Sequence, residues 1–115
     1  MKNKNYLLRL TDGSFCLGRG LPLEEDNTLA LVHIWSRNDL PYMWSVIDIA
    51  SGLFVAKGKT KKKCLENYHK KDEALVDIGG IKSRIISCRQ GEKYKDRCDE
   101  LETEQCIWRE SGYVL

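Results

Sequence analysis

The sequence predicts one α+β domain, residues 1–115, in which an antiparallel sheet of about five short strands is followed by two or three helices packed on one sheet face. Two observations carry this prediction. Strand-length apolar runs separated by turn residues fill the first half of the chain, and apolar residues at helical spacing follow Gly58. Strands segregated from helices are typical of the α+β class, and 115 residues suit a single domain.

Short turns join the predicted strands into a meander. The strands are 6–10, 14–18, 29–35, 42–49 and 53–57. Asp12-Gly13 is a strong hairpin signal, and Gly52 closes the last turn. Gly20, Pro22 and three acidic residues predict a loop over 19–28.

The first predicted helix begins after Thr60, a good N-cap residue, and runs to about Asp77, where Gly79-Gly80 ends it. Further along, mostly apolar side chains recur every three or four residues and predict a helix with one apolar face. That face consists of Tyr94, Cys98, Leu101, Gln105 and Trp108. Gly91 leaves open whether residues 81–106 form one helix or two.

Composition excludes several classes of protein. The chain is 42% hydrophobic and 31% charged, and its longest apolar runs are far too short to span a membrane. Its first residues are too polar for a secretory signal, and five cysteines without a C-x-x-C pair indicate reduced thiols. We therefore expect a cytoplasmic protein with no metal site and no cofactor.

Enzymatic signatures are missing from the sequence. The two histidines, His33 and His69, lie far apart, and no nucleophile or paired-carboxylate motif accompanies them. Gly58-Lys59-Thr60 resembles the end of a P-loop, but the preceding spacing is wrong and those residues are typical of a strand. We therefore expect a protein that is not an enzyme.

The most distinctive feature is a basic segment where the last strand meets the first helix. Residues 57–71 contain seven lysines and one glutamate, a net charge of +6, whereas the whole chain carries only +2. We call these lysines the lysine surface: Lys57, Lys59, Lys61, Lys62, Lys63, Lys70 and Lys71. Lysines oppose the dipole at a helix start, so their presence favours contact with phosphates or with an acidic protein surface. The alternative is a solvated helix face without a binding role.

Trp108 is the second candidate binding residue, because tryptophan is enriched at interaction hot spots and this one lies near the chain end. The alternative is that its ring packs the last helical turn. The acidic back of the same helix is interpreted as a solvated face. The apolar face, Tyr94 to Trp108, could instead pair with a second copy of the chain to form a homodimer.

Residues 44–66 are similar to a strand–turn–strand–Gly-x-Thr–helix unit that recurs in antitoxin partners of mRNA interferases and in small phage and plasmid proteins. Here the Gly-x-Thr element is Gly58-Lys59-Thr60. The size, cysteine usage and charge polarity of the chain also resemble those of anti-CRISPR proteins. These resemblances imply a regulatory binding protein and transfer no functional residue.

Two functions are therefore expected. The leading hypothesis is a non-enzymatic protein of phage or mobile-element type that inhibits or regulates a nucleic-acid-handling host protein through charged surfaces. The alternative is a small repressor-like or antitoxin-like regulator that contacts nucleic acid directly through the segment from Lys57 to Lys63.

Overall fold

The computed structural model describes residues 3–115, and five strands precede three helices along this part of the chain. The strands are β1 (Lys4–Arg9), β2 (Phe15–Pro22), β3 (Leu29–Ile34), β4 (Trp44–Asp48) and β5 (Phe54–Gly58). The helices are α1 (Lys61–Ala74), α2 (Gly80–Arg89) and α3 (Glu92–Glu110), with a 3₁₀ turn, Val76–Ile78, between α1 and α2. The α+β prediction is confirmed.

The five strands form one antiparallel sheet in the order β1-β2-β3-β4-β5. Leu7 lies opposite Leu17, and Val46 lies opposite Ala56. Each strand pairs with its neighbour in sequence, which is the meander that the short turns predicted. β1 and β5 are therefore the two edge strands.

One face of the sheet, here called the inner face, is covered by side chains of the strands and loops and not by a helix. Its apolar cluster combines β1 residues such as Leu8 with β3 and β4 residues such as Val32 and Ile47, and Phe54 of β5 packs against it. None of the cluster's members belongs to a helix. The backbone N–H of Arg9 in β1 donates to the carbonyl of Gly52 in the β4–β5 turn, at 2.9 Å. The sheet therefore curls until its two edges approach each other at one end.

The outer face of the sheet carries the helices. Cys64 and Tyr68 of α1 pack against Val46 and Ala56. Leu101 of α3 packs against β1 and β2 side chains in a separate cluster. The helices therefore lie on one face of the sheet, as the sequence predicted.

An ion pair also holds α3 to the outer face. The guanidinium of Arg9, which is only 9% exposed, lies 2.8 Å from a carboxylate oxygen of Glu100. The same guanidinium lies 4.8 Å from the centre of the Phe15 ring. β1 thus contributes a buried cation to the contact with α3.

The prediction of a loop from residue 19 was wrong for residues 19–22, which complete β2. Gly20 was interpreted as a turn residue, but its backbone lies directly against β3. A Cβ at this position would collide with the backbone carbonyl of Leu31. A glycine inside a strand often marks such a close backbone approach, here that of β2 to β3.

One helix boundary differs from expectation, and a second was left open by the sequence. α1 ends at Ala74 rather than near Asp77, because the chain tightens into the 3₁₀ turn and then reverses at Gly79, whose φ is 94°. Gly91 is the N-cap of α3, so residues 81–106 belong to two helices. This settles the alternative that the sequence left open.

Candidate functional site

The first turn of α1 holds the centre of the lysine surface. Thr60 is the N-cap, as predicted, and its hydroxyl accepts from the backbone N–H of Lys63 at 3.1 Å. No acidic residue lies in this first turn. Gly58 ends β5 so close to α1 that a Cβ there would lie 2.5 Å from the Cys64 nitrogen. α1 therefore begins almost directly after β5, and the lysines around this junction lie within a few residues of one another.

At the start of α1, three lysines are exposed and lack a carboxylate partner among residues 3–115: Lys59, Lys61 and Lys62. Lys63 is the exception, with its ammonium 3.9 Å from Glu66 one helical turn away. Both members of that pair are about half exposed, so the pair contributes little to stability. The positive charge at the helix start is therefore left for solvent or for a partner.

The remaining lysines of the set point elsewhere. Lys57 lies on the opposite side of β5 from α1, with its ammonium 4.7 Å from the centre of the Tyr42 ring. Lys71 turns back towards β5, where its ammonium donates to the Val55 carbonyl. Lys70 is exposed and lies seven residues after Lys63, about 10 Å further along the helix. The structure thus brings Lys59, Lys61, Lys62 and Lys63 together and separates the other three from them.

β5 is an edge strand, and α1 caps its free carbonyls. The side-chain amide of Asn67 donates to the Lys57 carbonyl at 2.8 Å, beside the bond from Lys71 to Val55. These two bonds occupy acceptors that an exposed edge would offer to another strand. Lys71 therefore has a structural contact that the sequence did not reveal.

Beside the lysines, a row of polar and aromatic side chains crosses the outer sheet face. Arg19 lies opposite His33, and His33 lies opposite Trp44. The rings of His33 and Trp44 are 4.8 Å apart and tilted, and both residues are half-buried. Arg19, Trp44, Lys61 and other residues line a shallow depression of about 750 Å³. Strand pairing creates this row, so sequence spacing alone could not reveal it.

Trp108 is half-buried rather than prominently exposed. Its ring packs against the cluster of Leu7, Leu17 and Leu101, and its indole N–H donates to Glu104 at 3.2 Å. This contact corresponds to the alternative interpretation of packing in the last helical turn. Leu101 and Trp108 of the apolar face of α3 pack on β1 and β2, so a homodimer through these two side chains would have to displace them from the sheet. The most exposed tryptophan is Trp35, with 47% of its surface accessible.

A buried polar cluster connects the sheet with α2 and α3. Asp48, at the end of β4, accepts hydrogen bonds from Ser51 at 2.6 Å, from Arg89 at 2.6 Å and from the hydroxyl of Tyr94 at 2.7 Å. Arg89 also donates to Thr28 at 2.8 Å. Burial and the neighbouring Asp48 carboxylate raise the pKa of Tyr94, which remains a hydrogen-bond donor at neutral pH. The cluster fixes both helices on the sheet.

The thiols divide into buried and accessible groups. Cys16 and Cys64 are fully buried, and burial raises the pKa of each to about 11. Cys88 and Cys106 are exposed. Within residues 3–115, no group of three or more histidine, cysteine or acidic side chains is arranged to hold a metal ion. No helix in the same range combines the length and apolar character needed to cross a membrane.

Comparison of the chain with protein-family models, with curated proteins and with solved structures finds no match.

Proposed function

We propose that the protein is a non-enzymatic binding protein that inhibits or regulates a nucleic-acid-handling partner through the part of the lysine surface that lies at the start of α1. The observation that carries the proposal is the cluster of Lys59, Lys61 and Lys62, which is exposed and lacks carboxylate partners within residues 3–115. The resemblance of residues 44–66 to a unit of antitoxins and small phage proteins supports a regulatory setting. The partner supplies an acidic surface that complements the cluster.

The position of the lysines favours a binding role over a stabilising one. A helix N-terminus carries a partial positive charge, so lysines in the first turn oppose the helix dipole and cost stability. The first turn also leaves backbone N–H groups without intrahelical acceptors, and these attract anionic groups. Lys61 and Lys62 lie in that first turn, which contains no acidic residue. An acidic partner would offset the unfavourable interaction between these lysines and the helix dipole, which remains uncompensated in the free protein.

A triple variant tests the proposal: Lys59→Glu, Lys61→Glu and Lys62→Glu together. The matched control places the same charge change on exposed lysines of α2 and α3, at Lys82, Lys93 and Lys95. Immobilised wild-type protein, test variant and control variant are each exposed to lysate of the source organism, with and without nuclease treatment, and retained proteins are quantified by mass spectrometry.

We expect a partner retained by the wild type and by the control variant but lost by the test variant, which should stay folded by circular dichroism. Retention of the same proteins by all three forms would contradict the proposal. Loss of every retained protein after nuclease treatment would instead indicate that nucleic acid is the partner.

A second candidate function is direct contact with nucleic acid, and the row of Arg19, His33 and Trp44 supports it. Aromatic rings on a partly open sheet face beside lysines resemble the stacking platforms that bind single strands. A fluorescent 20-nucleotide single-stranded RNA, titrated by anisotropy over a range of salt concentrations, tests this function. Its affinity should fall with a log–log slope of about −0.7 per phosphate contacted. Absence of binding at low salt would eliminate this candidate.

A further inference from the structure

A cavity of about 560 Å³ lies beside the C-terminal end of α1, away from the lysines at the start of that helix. Its walls come from β5, from the last turn of α1 and from α2, and include Val55, Leu75, Ile81 and Ile85. Binding sites for small molecules typically have volumes of about 300–1,000 Å³ and mostly apolar walls. The cavity therefore has the size and lining of a small-molecule site, and the proposed lysine-mediated function makes no use of it.

The charged side chains around the cavity are mainly cationic. Lys71, Arg84 and Arg89 line it, and Asp48 is the one carboxylate among its lining residues. Asp48 already accepts hydrogen bonds from Ser51, Arg89 and Tyr94, so its oxygens are occupied. Arg84 has no ion-pair partner within residues 3–115. A bound molecule would thus meet an unoccupied cation and no unoccupied anion.

We infer that this cavity binds a small amphipathic acid, with an apolar body between β5, α1 and α2 and an anionic head group at Arg84. The apolar walls would take a short alkyl chain or a ring system out of water. The guanidinium of Arg84 can bind a carboxylate through two parallel hydrogen bonds, which an alcohol or a cation cannot replace. This binding site is separate from the cluster of Lys59, Lys61 and Lys62.

Isothermal titration calorimetry with decanoate tests the inference, and decyltrimethylammonium provides a matched cationic probe of the same chain length. We expect one decanoate per protein and at least about tenfold weaker binding of the cation, because its head group would face Arg84. Absence of decanoate binding, several molecules bound per protein, or equal affinity for the two probes would overturn the inference.

Two variants locate the site. Arg84→Gln should weaken decanoate binding about tenfold by removing the charge-assisted hydrogen bonds. Its matched control, Lys82→Gln, removes an exposed charge from the same helix outside the cavity and should leave the affinity unchanged. Equal affinities for these two variants would overturn the inference. Ile85→Trp, which fills the cavity, should abolish binding, and retained binding by this folded variant would count equally against the inference.

Decanoate binding and capture of the protein partner, measured on the same variants, separate this inference from the proposed function. The triple lysine variant leaves the cavity walls intact and should bind decanoate with wild-type affinity. Conversely, Arg84→Gln should retain the protein partner captured by the wild type. Failure of either proposal therefore leaves the other standing.

Discussion

The inner and outer faces of the sheet are covered in different ways. The inner face is apolar and closes on itself, so that Leu8, Val32 and Ile47 are completely buried without help from a helix. The outer face is covered by helices that leave a cavity on one side of α1 and an open row of side chains on the other. The ionic contacts of Arg9 and Asp48 also lie between the sheet and its helices.

This difference indicates a division of roles. A close-packed apolar face stabilises the fold and offers nothing to a partner, whereas the outer face combines charge, depressions and half-buried aromatic rings. Trp108 and the lysine surface, apart from Lys57, belong to the helices of the outer face or to the connection that leads into them. The row of Arg19, His33 and Trp44 lies on the strands of the same face. Substitutions on the inner face should therefore act on stability, and substitutions at the lysine cluster should act on binding.

The largest effect is expected from Leu8→Ala on the inner face. Leu8 is completely buried, and truncating such a leucine costs about 2–5 kcal/mol of unfolding free energy, because the cavity left behind cannot collapse fully. Urea denaturation measures the loss. The matched control is Leu65→Ala on α1, where the leucine is half-buried beside the open depression, and its cost should be about 1 kcal/mol or less. Equal losses would contradict the division between the faces.

A smaller effect is expected from Asp48→Asn, which breaks the polar cluster of the outer face. The carboxylate of Asp48 is 7% exposed, and its removal leaves the Arg89 guanidinium without its counter-charge. We expect a loss of about 2–3 kcal/mol, measured by urea denaturation. Asp39→Asn breaks the exposed pair with Arg37 and should cost much less, because solvent screens that pair. If the two variants were equally stable, the cluster would contribute no more than a surface ion pair.

The smallest effect is a gain in stability from Lys61→Glu at the start of α1. A carboxylate in the first turn interacts favourably with the helix dipole, so the free energy of unfolding should rise by about 0.5 kcal/mol. Thermal denaturation at low salt measures the gain, which high salt should reduce. Lys93→Glu places the same change in the first turn of α3, where Glu92 already supplies an acidic group, so its gain should be smaller. A loss of stability in Lys61→Glu would contradict the view that this lysine is retained for binding.

Local signals in the sequence predicted most of the secondary structure. Thr60 as N-cap, the turn at Asp12-Gly13 and the stripe from Tyr94 to Trp108 all describe interactions within a few residues. The extension of β2 through Gly20 to Pro22 was missed because the same glycine favours a turn in isolation and a close approach inside a curled sheet.

The candidate sites were only partly predictable. The lysine cluster is contiguous in sequence, so its charge follows from counting residues along the chain. The cavity and the cluster of Asp48, Arg89 and Tyr94 depend on residues more than 40 positions apart. No periodicity connects such residues.

The sequence by itself determined the order of strands and helices, the start of α1 and the concentration of positive charge there, because each depends on neighbours along the chain. The tertiary structure alone decided which lysines remain together, which tryptophan is covered and where a cavity opens. The physical reason is the curl of the sheet. This curl buries the inner face completely. The outer face is left to the helices, which cover only part of it.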